Sequence, residues 1–161
     1  MLRWRATRRV ICSGSSPSCS GRLPFSHSVA SPCTSDHGDA RPRKGLWSHH
    51  DPVTLFGAEA SASGWDQVEP IFDRLAESFS QGQSCTYDVL GAGVSGDLGY
   101  VAAIERSVAG THGSPPQTFT LRVTTIFRRE QGVWKVIHRH GDPYDITSRE
   151  ALNRRRQQGV M

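Results

Sequence analysis

Over residues 64–80 the chain reads GWDQVEPIFDRLAESFS, with apolar side chains at Val68, Ile71, Phe72, Leu75, Ala76 and Phe79. That spacing draws one continuous stripe down a helix. Asp66, with Glu69 three residues on, predicts a capping box at its start. Pro70 then falls at the end of the first turn, where it costs at most about one backbone hydrogen bond. Downstream the pattern changes to strand and turn. Residues 83–90, 100–108, 117–128 and 133–140 read as strands, and residues 91–99, 110–116 and 129–132 as the glycine-rich or polar connections between them. Upstream, residues 53–56 read as a short strand between Pro52 and Gly57. One helix against a meander of long antiparallel strands is an α+β arrangement. The tail SREALNRRRQQ is polar on every side and predicts at most an exposed helix that does not pack.

Residues 1–35 carry no such period. They contain nine serines, three prolines, five arginines and no Asp or Glu. This composition fits a mitochondrial transit peptide, a solvated disordered extension or an out-of-frame start, and it lacks the apolar run of a secretory signal. The chain therefore divides into a leader at 1–35, a folded domain at 36–145 and a basic tail at 146–161. Charge follows the same division. The pI near 9.2 suggests nucleic acid, yet residues 36–148 hold 10 of the 19 basic residues and 14 of the 15 acidic ones. An acidic body with basic ends offers no basic, aromatic-lined face, so no nucleic-acid partner is expected. No run approaches the ~18 apolar residues of a membrane helix, so no membrane partner is expected either and a cytoplasmic location follows, or an organellar one if the leader is a transit peptide.

The chemistry-bearing residues gather in the strands. GAGVSG at 91–96 matches a dinucleotide fingerprint, but strand residues rather than a helix follow it, so it reads as a hairpin turn. Of the four cysteines, three lie in the leader. Cys85 reads as a small core residue, and no spacing supports a disulfide or a zinc site. In VWKVIHRHGDPYD, His138 and His140 stand two apart on one strand face. They supply two ligands to a metal that would need a third from Glu105, Asp142 or His49, or they line a polar cavity, or they pair with carboxylates. Glu105 shares a strand face with Val101 and Ala103, so its carboxylate points where its neighbours look buried. Arg122 on the adjacent strand is the expected cation, with His138 or His140 second. A bulge at the last hairpin would reverse which of these share a face.

The segments LWSHHDPVTLFG, GW before a helix, GDLGYVAAIER, LRVTTIFRREQGVWKVIHRH and the closing GDP together resemble the nuclear-transport-factor-2-like (NTF2-like) superfamily, in its SnoaL-like or ketosteroid-isomerase-like branch. The last block is also similar to the closing strand of the association domain of calcium/calmodulin-dependent kinase. The resemblance implies a cone-shaped curved antiparallel sheet packed by helices, the cystatin-like α+β barrel, with a pocket at its mouth. It implies a homodimer, no metal and no cofactor. Glu105, Arg122, His138 and His140, with Trp47 and His49, are the candidates to line that pocket. The family normally opens with a long amphipathic helix, whose place is here taken by the patternless leader. The acid, tyrosine and protonated aspartate of the isomerases cannot be matched; Tyr87, Tyr100 and Asp88 stand in the wrong context. The resemblance implies binding of a small molecule of unknown identity, with proton transfer or hydration as the reaction class, or else a non-catalytic association module. A copy left without function by the missing helix is the third reading.

Overall fold

A computed structural model of the chain describes residues 8–10, 39–57, 60–111 and 116–157. In chain order these form β1 (Arg8–Val10), α1 (Arg41–Leu46), β2 (Thr54–Phe56), β3 (Ser61–Ser63), α2 (Trp65–Ser78), β4 (Phe79–Ser95), β5 (Leu98–Thr111), β6 (Gln117–Glu130), β7 (Val133–Pro143) and α3 (Ile146–Gln157). The strands make one open, curved sheet in the order β1-β4-β5-β6-β7-β2-β3. Neighbours are antiparallel except that β2 runs parallel to β7. The α+β class and the antiparallel meander expected from the sequence are present. The leader proposed for residues 1–35 lies outside the described residues apart from Arg8–Val10, which pair with Tyr87–Val89 at the sheet edge.

The stripe on α2 buries Val68, Ile71, Phe72 and Ala76. They pack against Trp47, Val53, Leu55, Tyr87, Val101, Ala103, Phe127, Trp134 and Val136, so one face of the sheet, here called inner, is covered by this helix. Burying a side chain such as Phe72 or Val68 contributes on the order of 1.5–3 kcal/mol. The start of α2 differs from expectation. It begins at Trp65, ahead of Asp66, and the carboxylate of Asp51 accepts the Trp65 backbone N–H at 3.0 Å. Glu69, expected in a capping box, instead pairs with Lys44 at 3.1 Å, and Asp73 joins the same ammonium at 2.8 Å. The cap thus comes from a distant loop, and α1 is fastened to α2 by a lysine between two carboxylates.

The strands run longer than the sequence suggests. The nine-residue connection expected at 91–99 is reduced to Gly96–Asp97, with Gly96 at φ +59° in a two-residue hairpin loop. Gly93 lies within the strand. A Cβ there would sit 2.7 Å from Cε1 of Tyr100 on β5, so this glycine makes room for a cross-strand ring rather than for a turn. The β6–β7 hairpin closes through Gln131 and Gly132, both at positive φ, as a two-residue loop matching the sheet twist requires. Arg129 ties the two hairpin ends together through the Asp97 carboxylate, at 2.6 Å.

Helix α3 does dock by its first turn, against the expectation of a wholly exposed tail. Asp145 accepts the Ser148 N–H at 2.8 Å, and buried Ser148 accepts the Thr120 N–H at 3.2 Å. Cys85 is disulfide-bonded, which corrects its reading as a free core thiol; the other three cysteines lie outside the described residues. No helix among the described residues is long and apolar enough to cross a membrane.

Candidate functional site

Alternation along β5 puts Val101, Ala103 and Glu105 on the inner face, and all three are buried. A carboxylate in that position demands partners, because an unpaired buried charge is far costlier than a paired one. Two arrive from different strands. Tyr87, directly opposite Glu105 on β4, donates its hydroxyl to Oε2 in a short hydrogen bond. Arg139, on β7, donates from Nη2 to the same oxygen at 2.6 Å. Side-chain exposure is 15% for Arg139 and 9% for Glu105, so the pair is held in the protein yet not sealed from solvent.

Each partner's proton affinity reflects this setting. Burial, reinforced by the Glu105 charge, pushes the Tyr87 hydroxyl well above the ordinary tyrosine value, so Tyr87 remains a donor. Burial works against the charge of Arg139, but Glu105 and Tyr87 together, by charge and by hydrogen bonding, outweigh it and raise the guanidinium above its ordinary value. The guanidinium reaches Glu105 by lying along β7 past Gly141. A Cβ on Gly141 would stand 3.0 Å from Arg139 Nη1 and 3.7 Å from Leu121 Cδ1, so the glycine of the HGD sequence leaves the arginine its path.

Register explains why Arg139, absent from the sequence-derived candidates, occupies the place expected of others. Glu105 faces Leu121 on β6, whereas Arg122 faces Ile104 and Asp142. Arg122 therefore projects from the outer face, where its Nη2 meets the Pro143 carbonyl at 3.4 Å. Counting back from the turn, Phe127 pairs with Val136, and an unbroken ladder would next set His138 opposite Thr125 on the inner face. A bulge at this point inserts one residue, so that Ile126 pairs with His138 and Thr125 with Arg139. The single insertion turns His138 and His140 to the outer face and brings Arg139 inside.

On that outer face His138 Nδ1 lies 2.7 Å from Thr54 Oγ1, and Phe56 stands edge-on to both histidines, with centroids at 5.5 and 6.0 Å. Burial, then the neighbouring His140, pushes the His138 pKa below the ordinary histidine value. His140 Nε2 lies 3.3 Å from Asp142 Oδ2, in an exposed pair. Among the described residues no group of three His, Cys, Asp or Glu stands close enough to hold a metal.

The remaining candidates stand elsewhere. Trp47 is a core residue, its ring 5.2 Å from Phe72 of α2. His49 is exposed, stacked on Trp65 at 4.0 Å, with Nε2 3.2 Å from the Lys44 carbonyl. Neither is brought together with Glu105 or with the outer histidines. The adjacent Ser48 is buried and donates to Glu130 at 2.7 Å, while Arg128 joins Ser48, Glu130 and the His50 carbonyl. Burial alone would raise the Glu130 carboxyl, but the bonds from Ser48 and Arg128 hold it below the usual range. Ser48 and Arg128 converge on one oxygen of Glu130 and on the His50 carbonyl, so this second cluster ties the loop before β2 to the end of β6.

The buried charged arrangement on the inner face is Tyr87, Glu105 and Arg139. Tyr87 had a sequence signal, since alternation on β4 predicts a side chain facing the same side as its partner on β5. Arg139 had none, because its face depends on the bulge.

Comparison with known proteins agrees with this architecture. An NTF2-like superfamily protein from Salmonella enterica superposes with a TM-score of 0.66 at 16% identity, over 76% of this chain and 90% of that one. A candidate dehydratase of the NTF2-like family from Streptomyces avermitilis gives 0.65 at 20% identity, over 76% and 94%. A candidate calcium/calmodulin-dependent protein kinase II association domain from Xanthomonas campestris gives 0.64 at 12% identity, over 89% and 99%. No curated protein sequence matches the chain. The sequence model of the SnoaL-like domain matches residues 35–143, well over half of the length, and the chain belongs to the SnoaL-like domain family.

Proposed function

We propose that the chain is a small-molecule-binding domain whose polar anchor is the Glu105–Arg139 pair on the inner face of the sheet. The observation that supports this is a charged pair held on the inner face of the sheet beside buried Tyr87 and Ala103, although well-packed apolar residues would serve stability as well or better. A few polar groups converging in an otherwise apolar setting are the usual means of orienting a ligand. Perturbed groups such as Tyr87 and Arg139 also concentrate at functional sites. Proton transfer or hydration, the reaction class suggested by the candidate dehydratase fold, would use Glu105 as the group exchanging the proton.

The test is a saturation-transfer NMR screen of benzamide, cyclohexanone, benzoate and benzylamine against the wild-type chain and a Glu105→Gln/Arg139→Met double variant. The double variant buries no charge and is expected to fold. At least one probe should bind the wild type and weaken at least about tenfold in the variant, the worth of one polar contact. Equal binding to both proteins would place the ligand elsewhere and end this reading.

A second reading, a homodimeric association module, is favoured by exposed Phe56, Leu98 and Tyr100, which β-strand alternation places on the outer face away from α2. Light scattering at micromolar concentration decides it, a monomer mass counting against. Cytoplasmic residence, expected from the sequence, sits poorly with the Cys85 disulfide, since disulfides persist chiefly in oxidising compartments.

A further inference from the structure

Taking the binding role of this pair as given, we infer that its ligand is electrically neutral and presents a hydrogen-bond donor and an acceptor along one edge, as a lactam or a primary amide does. The inference comes from how the pair is joined. An arginine and a carboxylate commonly meet side-on through two parallel bonds, which consume both oxygens. Here the contact is end-on. Arg139 Nη2 and the Tyr87 hydroxyl both donate to Oε2, and among the described residues Oε1 has no hydrogen-bond partner. Arg139 meets Glu105 and Tyr87 with part of its guanidinium, and of its five N–H donors some remain to spare. The side chains of Arg139 and Glu105 keep 15% and 9% of their surface exposed.

The spare capacities have opposite sense. A carboxylate oxygen accepts only, and guanidinium N–H groups donate only. A ligand satisfying both must therefore offer its own donor to Oε1 and its own acceptor to the guanidinium. Charge points the same way. Tyr87 is neutral, so the site carries one negative and one positive group and has no net charge. An anion drawn to Arg139 is repelled by Glu105 beside it, and a cation meets the reverse. Gly141 keeps the Nη1 edge clear, since any side chain there would crowd that nitrogen.

The test compares 2-piperidone, N-methyl-2-piperidone and valerate, three probes of similar size, by NMR titration of the wild-type chain. 2-Piperidone carries both partners, its N-methyl analogue lacks the donor, and valerate is an anion without one. We expect 2-piperidone to bind about tenfold more tightly than either, the factor left by one unpaired polar group. Equal affinity for the N-methyl compound, or tighter binding of valerate, overturns the neutral-edge inference. Valerate binding that is lost in Glu105→Gln/Arg139→Met would overturn the ligand class while the anchor itself survives. Failure of all three probes, together with failure of the wider panel, overturns both. A Glu105→Gln variant gives an independent arm: with the like charge removed, the preference should move toward valerate, and an unchanged ranking counts against the charge argument.

Discussion

Replacing Arg139 with methionine tests the energetic status of the inner-face pair. The substitution keeps an apolar stem and removes the guanidinium, leaving Glu105 with Tyr87 as its one remaining partner among the described residues. Two unit charges about 4 Å apart at an effective dielectric of about 20 attract by about 4 kcal/mol. Side-chain exposures of 15% and 9% leave little room for water to recover that loss. Orphaning one member of a buried pair typically costs roughly 3–5 kcal/mol, a large share of the stability of a domain this size. The assay is urea unfolding of wild type, Arg139→Met, Glu105→Gln and the double variant. We expect Arg139→Met to fall by about 3 kcal/mol or more, and the double variant to be less damaged than Arg139→Met, with a coupling energy above about 2 kcal/mol. A loss under about 1 kcal/mol with no coupling is the signature of a screened surface pair and refutes the reasoning.

Other expectations are more local. Tyr87→Phe should cost about 1.5–3 kcal/mol in the same assay, the worth of a hydrogen bond to a charged group. Because folding raises the Tyr87 pKa, its contribution is complete below the unfolded value of about 10 and declines as pH rises above it, so alkaline destabilisation should be weaker in Tyr87→Phe; identical pH profiles would contradict this. His138 has a folded pKa below its unfolded value, so its contribution is present above about pH 6.5 and is lost as pH falls, and stability measured from pH 7.5 to 5 should drop more in wild type than in His138→Gln. Gly141→Ala should push Arg139 Nη1 aside by a few tenths of an ångström while Nη2 keeps its bond to Glu105, and so weaken 2-piperidone at least several-fold with little change in unfolding midpoint; the reverse result would make Gly141 a packing residue. Cys85 should resist iodoacetamide until a reductant is added, as read by the mass of its peptide.

What the sequence made legible was whatever local periodicity decides. Of the stripe expected on α2, Val68, Ile71, Phe72 and Ala76 are buried as helical spacing requires and Leu75 is half-buried, whereas Phe79 already belongs to β4. The four long strands and the inward direction of Glu105 follow from alternation alone. What failed depended on long-range contact. The cap of α2 comes from Asp51, which local pattern cannot nominate. Gly91 and Gly93 read as turn residues, yet both lie within β4, and Tyr100 on the neighbouring strand places its ring over Gly93. The decisive case is the bulge on β7. KVIHRH alternates equally well in either register, and one inserted residue exchanges His138 for Arg139 beside Thr125. Of the candidates, Glu105 lies on the inner face beside an arginine the list did not contain, Arg139, while Arg122, His138 and His140 lie on the other face.

A crystal of the wild-type chain soaked in 2-piperidone addresses the central claim most directly. The account predicts the lactam on the inner face, its N–H on Glu105 Oε1 and its carbonyl on an Arg139 nitrogen. Lactam density confined to the outer face, at Thr54, Phe56 and His138, or an inner face left empty at saturating ligand, would contradict it.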